Sequence, residues 1–566
     1  MSREPDRVTR RAVLRGAAVA GATALVRPAV GLARAGSPAG VFSHYVGTVS
    51  AGETRPIAAP GVFSLVGVQW RTPTGARIEL RTRRAPGAPW GPWVSAAVRG
   101  HDGDGSAEAG AGAGAARADE FGEPIWTGPA AEVQLRSAGV VEGVRLHFVA
   151  PPSGAATGLQ ARAAQGLALA QPILAAGPGQ PPILARSAWA HGRAPHHVPE
   201  YGTVKLAFVH HSETPNGYSA GEVPSILLSI FAYHRYVRGF FDIAYNFAID
   251  AFGRIWEARA GGIDEAVIGA HAGGYNQEST GMVVLGSFMS VAPSQAALGA
   301  LTRLLAWKLS LHGLPALGRA TVEVNPSDAF YTPFAPGAHV SLPRIAGHRD
   351  GDQTSCPGDA FYARLPSIRP RVAALAGKPA HLSIVAPVPA HPPGAPVTLA
   401  GRLLDVSSGA PLAGAPLEIQ QIGAQGGEAT IATLSTAADG SWNYVARPSA
   451  NIMLRALHRP APAAVSDIVI LAVAPALTVS VVSTSPLMVS GTVTPAGPRV
   501  TVDLYRVGAG GHRHLVSAKA FPATGGSFSG RIRHPGAGPG RYVLIARTAQ
   551  SAQFAAGASA PVPVSL

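Results

Sequence analysis

The stretch AGHRDGDQTSCPGDAFY, residues 346–362, carries Cys356, the only cysteine in 566 residues, and His348 eight positions before it. Further imidazoles, the His210–His211 pair, lie far upstream, directly after the apolar run TVKLAFV. Two imidazoles and one thiolate are a complete protein ligand set for a catalytic zinc, with the fourth tetrahedral position left to water. Such an ion holds the thiol as thiolate and brings the pKa of its bound water toward neutrality, which supplies hydroxide at physiological pH. The long separation in sequence excludes a zinc-finger pattern and requires a cleft assembled by a folded domain. A lone cysteine otherwise reads as a small buried filler, and it excludes an intramolecular disulfide. The polar, Gly- and Pro-punctuated surroundings of Cys356 favour the ligand.

The elements that must position these groups lie between Ile183 and about Leu375, where the texture is mixed α/β. TVKLAFVHH and IAYNFAID read as near-continuous apolar strands. EVPSILLSIFAYHRYVR and PSQAALGALTRLLAWKLSLHG have helical periodicity, the second closing on Gly313 as a C-cap. Ahead of this region, residues 40–152 alternate apolar and polar residues in short runs such as VFSLVGVQW and VRLHFVA, the pattern of a small β domain. Trp70, Trp90, Trp93 and Trp126 are its expected core anchors, and the Gly/Ala-rich insert DGDGSAEAGAGAGAARADE is expected to be a mobile loop. Residues 153–182 form a linker. Residues 380–566 return to β texture and repeat themselves: VTLAGRLLD matches LMVSGTVTP, DGSWNYVAR matches GGSFSGRIR, and IMLRALH matches RYVLIAR. The shared glycines are Gly401 with Gly491 and Gly440 with Gly526. A period near ~90 residues with alternating strands predicts two Ig-like β-sandwiches, 380–473 and 475–566, serving as spacer or stabilising modules.

The first 35 residues read as an export signal. Arg10 and Arg11 form a twin-arginine pair, the apolar run from Gly16 to Val26 is too short to span a bilayer, and Ala33-Arg34-Ala35 is a small-x-small cleavage site. The segment resembles a Tat signal, which exports folded chains. No later segment is apolar enough for a membrane helix, so the mature chain is expected in the cell envelope or outside the cell. The formal charge is +14, part of it in this leader, where seven Arg face only Glu4 and Asp6. No dense Lys/Arg block suggests a nucleic-acid patch, and the remaining basic excess suits an anionic partner such as a cell envelope. Oligomeric state is not legible.

Four motifs in order, VHHS (209–212), FDIAYNFAIDAFGRIWEAR (241–259), GAHAGGYNQESTGMVVLGSF (269–288) and GHRDGDQTSCPGDAFY (347–362), resemble the peptidoglycan recognition protein and type 2 N-acetylmuramoyl-L-alanine amidase family. ILARSAWA (183–190) matches the family's opening segment, and the likeness spans about residues 183–372. The β-rich region before it resembles N-terminal units of actinobacterial wall amidases. The resemblance implies a multidomain chain whose central α/β domain, a mixed β-sheet with helices, is of the amidase type 2 fold. It implies zinc as cofactor, with His210, His348 and Cys356 as ligands, and peptidoglycan as partner. Tyr245 then faces the zinc water and the scissile carbonyl, Thr354 stands near the developing charge, and His271, Tyr275 and Asn276 lie on the substrate groove. The implied reaction hydrolyses the amide between N-acetylmuramic acid and L-alanine.

His211 points to the opposite face of the strand from His210 and reads as structural. His234 lies on a helical packing stripe, and Glu257 and Arg259 read as a structural pair. The chain departs from the family at EARAGG (257–262), where a groove tryptophan is missing, which puts the stem-peptide preference in question. The competing reading is a recognition protein that binds wall fragments without cleaving them. In this family, loss of the cysteine ligand accompanies recognition without cleavage, and here the cysteine is present.

Overall fold

The structure, a computed structural model, describes residues 40–71, 77–96, 120–151 and 179–566 apart from 424–426, 498, 524 and 535–537. The expected export signal, nearly all of the Gly/Ala-rich insert and most of the 153–182 linker lie outside the described residues.

The central region is built on a six-stranded sheet in the order Ile345–Gly347, Leu206–His211, Ser279–Val284, Phe247–Ile249, Ile255–Glu257, Ile183–Leu184. All neighbours are parallel except Phe247–Ile249 and Ile255–Glu257, which form a hairpin. In the hairpin turn, Asp250 Oδ1 accepts from the backbone N–H of Phe252 and Arg254, each at 3.0 Å, the local carboxylate-to-backbone bonding that favours Asp in turns. The long strands are apolar throughout because both faces are covered, as parallel pairing demands. On one face Ala207, Val209, Met282 and Val284 pack beneath the Gln295–Leu311 and Leu365–Ala376 helices. On the other, Ala248, Val283 and Tyr245 meet the Val223–Tyr236 helix. Leu206 and Phe208, also on that face, meet the hairpin of Arg319–Glu323 with His339–Pro343. The Gln295–Leu311 helix is capped by Ser294, whose Oγ accepts from Ala297 N–H at 3.1 Å, and stops before Gly313 at φ 67°.

The N-terminal region is a largely antiparallel eight-stranded sheet with its own core. Trp70 and Trp126 are buried. Trp90 and Trp93 correct the expectation of four core tryptophans. Half-exposed, they alternate with guanidinium groups, Arg83 over Trp90 at 4.4 Å, Arg81 over Trp93 at 4.4 Å and Arg136 over Trp93 at 4.5 Å.

The C-terminal region comprises two successive β units, each with two sheets around one core. The repeated glycines do the same work in both. A Cβ at Gly401 would sit 1.9 Å from the Ser383 carbonyl oxygen, and one at Gly491 would sit 2.2 Å from that of Thr478. The motif survives because a backbone passes where a side chain would be.

The first C-terminal unit is anchored to the central domain through Arg455, which has no exposed surface. Its guanidinium meets Asp264 at 2.8 Å, Glu265 at 2.7 Å and Glu428 at 3.3 Å, and donates to Gln420 Oε1 at 2.9 Å. Asp264, Glu265 and Glu428 converge closely enough to suggest a cation site, but Arg455 is already the cation that neutralises them. Arg455→Ala is expected to destabilise this junction by about 1–3 kcal/mol, because it leaves the buried Glu265 and the partly exposed Asp264 and Glu428 without their guanidinium partner. The effect would be read as a lowered thermal transition and faster proteolysis between the central and C-terminal regions. An unchanged transition would show that the network contributes nothing net.

Candidate metal centre

The centre forms where two neighbouring parallel strands end. Val209 is paired with Gly347, so the residues that follow each, His210 still in its strand and His348 just beyond its own, lie side by side with ring centroids 4.6 Å apart. Open α/β sheets place ligands at this edge, beyond the carboxyl ends of the strands. The loop after His348 folds back and returns Cys356, with its Sγ 3.7 Å from His210 Nδ1. Ligand atoms of His210, His348 and Cys356 all lie within 4.8 Å of one another. A tetrahedral zinc with bonds of about 2.0–2.3 Å separates neighbouring ligand atoms by about 3.3–3.8 Å, so the cluster is of the right size. Two imidazole nitrogens and a sulfur are also donors suited to that ion.

The other ring nitrogens support the same assignment. His348 Nε2 is 3.0 Å from Asp352 Oδ2, which directs Nδ1 to the cluster, the carboxylate–histidine arrangement that fixes a ligand's tautomer and orientation. His210 Nε2 is 3.2 Å from His271 Nδ1. Burial, followed by the charges of His348 and Arg259, holds His271 well below the ordinary histidine range, so it is a neutral ring that accepts here. The Cys356 thiol is pushed well above its usual value by burial, with the His211 backbone N–H bond opposing and the charges of Glu123 and Glu213 adding to the rise. A bound cation is what makes it a thiolate.

Tyr245 is also here, its ring 5.4 Å from that of His210. Burial first, then the charges of Glu123, Cys356 and Glu213, raise its phenol well above the ordinary range, so its proton stays in place as a donor. Thr354 is half-buried, and its Oγ1 accepts from Cys356 N–H at 3.2 Å, shaping the loop that presents the sulfur.

His271, Tyr275 and Asn276 were expected on the substrate groove. All three are buried beneath the centre. His271 braces His210. Asn276 Oδ1 accepts from the backbone N–H of His271 at 2.8 Å and of Ala272 at 3.0 Å. Tyr275 OH lies 2.7 Å from Thr332 Oγ1 and donates to the Gly351 carbonyl at 3.1 Å. The hairpin loop around residues 325–332 covers them, with Asp328 accepting from Asn276 Nδ2 at 3.3 Å. Glu257 and Arg259 do not pair. Glu257 accepts from Arg186 N–H at 2.9 Å, and Arg259 donates to the Ile243 carbonyl at 3.0 Å.

His211 lies on the opposite face, its Nε2 3.0 Å from Glu213 Oε1. Sequence reading missed Asp352, although His-x3-Asp inside GHRDGD was a usable signal.

Residues 200–359 match the N-acetylmuramoyl-L-alanine amidase family model, and residues 28–164 match the family described as Rv3811 N-terminal galactose-binding domain-like. Peptidoglycan-recognition protein LB of Drosophila melanogaster is 29% identical over 187 residues, covering 33% of this chain and 68% of that protein. A peptidoglycan-recognition protein of Drosophila simulans is 30% identical over 177 residues, covering 31% of this chain and 81% of that protein. The solved structure of wild-type Drosophila PGRP-LB aligns at 28% identity and a TM-score of 0.26, covering 33% of this chain and 92% of that one. Through its central region, the chain belongs to the family of peptidoglycan-recognition proteins and N-acetylmuramoyl-L-alanine amidases.

Proposed function

We propose that the chain is an exported, zinc-dependent N-acetylmuramoyl-L-alanine amidase that cleaves the bond between N-acetylmuramic acid and L-alanine in peptidoglycan. The observation that carries this reading is the convergence of His210, His348 and Cys356 with Tyr245 beside them. Membership in a family whose relatives are named for peptidoglycan recognition supports the substrate class. A binding protein without activity needs neither a complete ligand triad nor a protonated phenol beside it.

In this reading His210 Nδ1, His348 Nδ1 and Cys356 Sγ hold the ion, which supplies Lewis acidity and a nucleophilic water near neutral pH. Asp352 and His271 hold the two imidazoles in the tautomers that coordination needs. The Tyr245 hydroxyl donates to the amide carbonyl oxygen as it gains charge, the position where a fixed donor contributes most. Thr354 keeps the cysteine loop in register. The division into export signal (1–35), β domain (40–152), linker (153–182), amidase domain (183–375) and two Ig-like modules (380–473 and 475–566) is part of the same proposal. It places the protein in the envelope or outside the cell.

Three outcomes test it. The mature chain, incubated with purified peptidoglycan, is expected to release stem peptides bearing a free L-alanine amine, detected by mass spectrometry. Cys356→Ala is expected to lose both bound zinc and this release. Wall binding without such peptides, with zinc restored, would reduce the protein to a recognition module. Asp352→Asn is expected to weaken zinc binding about 10–100-fold, because His348 loses its orienting carboxylate; competition with a chromogenic chelator reads this directly, and an unchanged affinity removes Asp352 from the site.

The third outcome concerns pH. The folded thiol pKa is raised, so Cys356 is protonated at neutral pH in the metal-free chain and must give up that proton to bind the ion. Zinc affinity is therefore expected to rise about tenfold per pH unit through the neutral range. Titration calorimetry in buffers of different ionisation enthalpy would show the released proton, and a pH-independent affinity would argue against thiolate ligation.

A further inference from the structure

A second concavity lies on the N-terminal sheet, away from the metal centre. It is a cavity of about 370 Å³, within the range of sites that hold small ligands. Arg81, Arg83, Arg84, Trp90 and Thr127 line it, and the central domain contributes Pro215. Pro215 stands five positions after His210, so the cavity begins within about 18 Å of that metal ligand, the most that five residues span.

The chemistry of the lining is cationic. Three arginines face the cavity and, among the described residues, no acidic side chain does. Their charges are not equally spent. Arg83 is neutralised by Glu132. Arg81 donates through Nε and Nη2 to the uncharged Gln134 Oε1, at 2.9 and 2.6 Å, and lies 3.4 Å from the half-exposed Glu53. Arg84 is exposed and has no hydrogen bond or ion pair among the described residues.

The tryptophans hold these cations in place. Arg83 lies over the Trp90 ring at 4.4 Å and Arg81 at 5.2 Å, and Arg81 also lies over Trp93 at 4.4 Å. A ring already stacked with guanidinium groups is a poor platform for the face of a sugar, so the cavity is built to meet charge. Stacked guanidinium groups lose little further freedom when they bind, and their paired N–H donors match carboxylate and phosphate oxygens. Peptidoglycan carries free carboxylates on its stem peptides, and the cavity adjoins the loop that follows a metal ligand.

We propose that this cavity is an accessory subsite for the stem-peptide carboxylates of peptidoglycan, with Arg84 and Arg81 as the recognising cations, so that the N-terminal domain holds the polymer within reach of the metal centre. The inference takes its substrate from the amidase reading and rests on it, and the test separates the two.

The full chain, stripped of metal so that nothing is cleaved, is sedimented with purified peptidoglycan freed of phosphate-bearing polymers. Arg84→Glu is expected to weaken this binding about tenfold, the effect of losing a hydrogen bond to a charged group. Ala88→Trp, which fills the cavity from another of its lining residues and leaves the charge unchanged, is expected to do the same. Both variants are expected to keep the wild-type thermal transition and zinc affinity. Converting the peptidoglycan carboxylates to amides is expected to weaken binding of the wild-type chain to the level of the variants. Folded variants that sediment like wild type overturn the subsite. Binding that survives amidation, or that appears only with phosphate-bearing walls, overturns the carboxylate assignment. Weakened binding in both variants and on amidated walls, with no peptide released by any chain once zinc is supplied, upholds the subsite and removes the amidase reading instead.

Discussion

The register between two short parallel strands governs the centre. With Val209 opposite Gly347, the chain delivers His210 and His348 at one height on one edge of the sheet. A shift of one residue would carry His210 to the face that holds His211, because side chains alternate along a strand. The register is held by burial. Phe208 on one face and Val209 on the other each sit in a separate apolar cluster, and neither can trade places without exposing itself and burying an imidazole in its stead. The ligand geometry is thus a consequence of core packing on both faces.

The same burial dictates the protonation of everything nearby. With no water to solvate charge, isolated imidazoles stay neutral and isolated thiols and phenols stay protonated. Neutral rings make directional hydrogen bonds with one donor and one acceptor nitrogen, so if His210 gives Nδ1 to the ion its Nε2–H donates to His271, and Asp352 on Nε2 of His348 leaves Nδ1 to face the cluster. His211, a residue away, lies 3.0 Å from Glu213 through Nε2 and accepts from the backbone N–H of Phe288 through Nδ1. Desolvation therefore gathers two neutral imidazoles and a protonated thiol in one buried cluster, and a cation held there would favour the thiolate.

The sequence made the triad legible because its parts are chemically rare: one cysteine in the chain, a histidine pair at a strand end, and a histidine eight residues before the thiol. The central strands and the helices around 223–236 and 295–311 were legible through hydrophobic periodicity, and the C-terminal duplication through its matched glycines. What was not legible depends on contacts between distant segments. His271, Tyr275 and Asn276 look like surface polar residues in GAHAGGYNQ, and only the hairpin loop around 325–332, which supplies Thr332 and Asp328, buries them. Trp90 and Trp93 look like core residues, but Arg81, Arg83 and Arg136 on the adjoining strands stack with them at the surface.

The two flanking β regions are joined to the central domain by different physics. Arg455, itself fully buried, meets three carboxylates, of which only Glu265 is buried, and a side-chain amide. Separating it strands charges in an apolar environment, so the C-terminal junction behaves as a fixed joint. The N-terminal contact is built largely of apolar packing, non-directional by nature, with the Ser64–Ser229 and Tyr233–Gly122 contacts at 3.3 and 3.4 Å and the Arg238 guanidinium stacked on Phe121 at 4.9 Å. Lys308 strengthens the fixed side further, its ammonium donating to the carbonyls of Ile263 at 2.8 Å and Glu265 at 2.7 Å beside the Arg455 network.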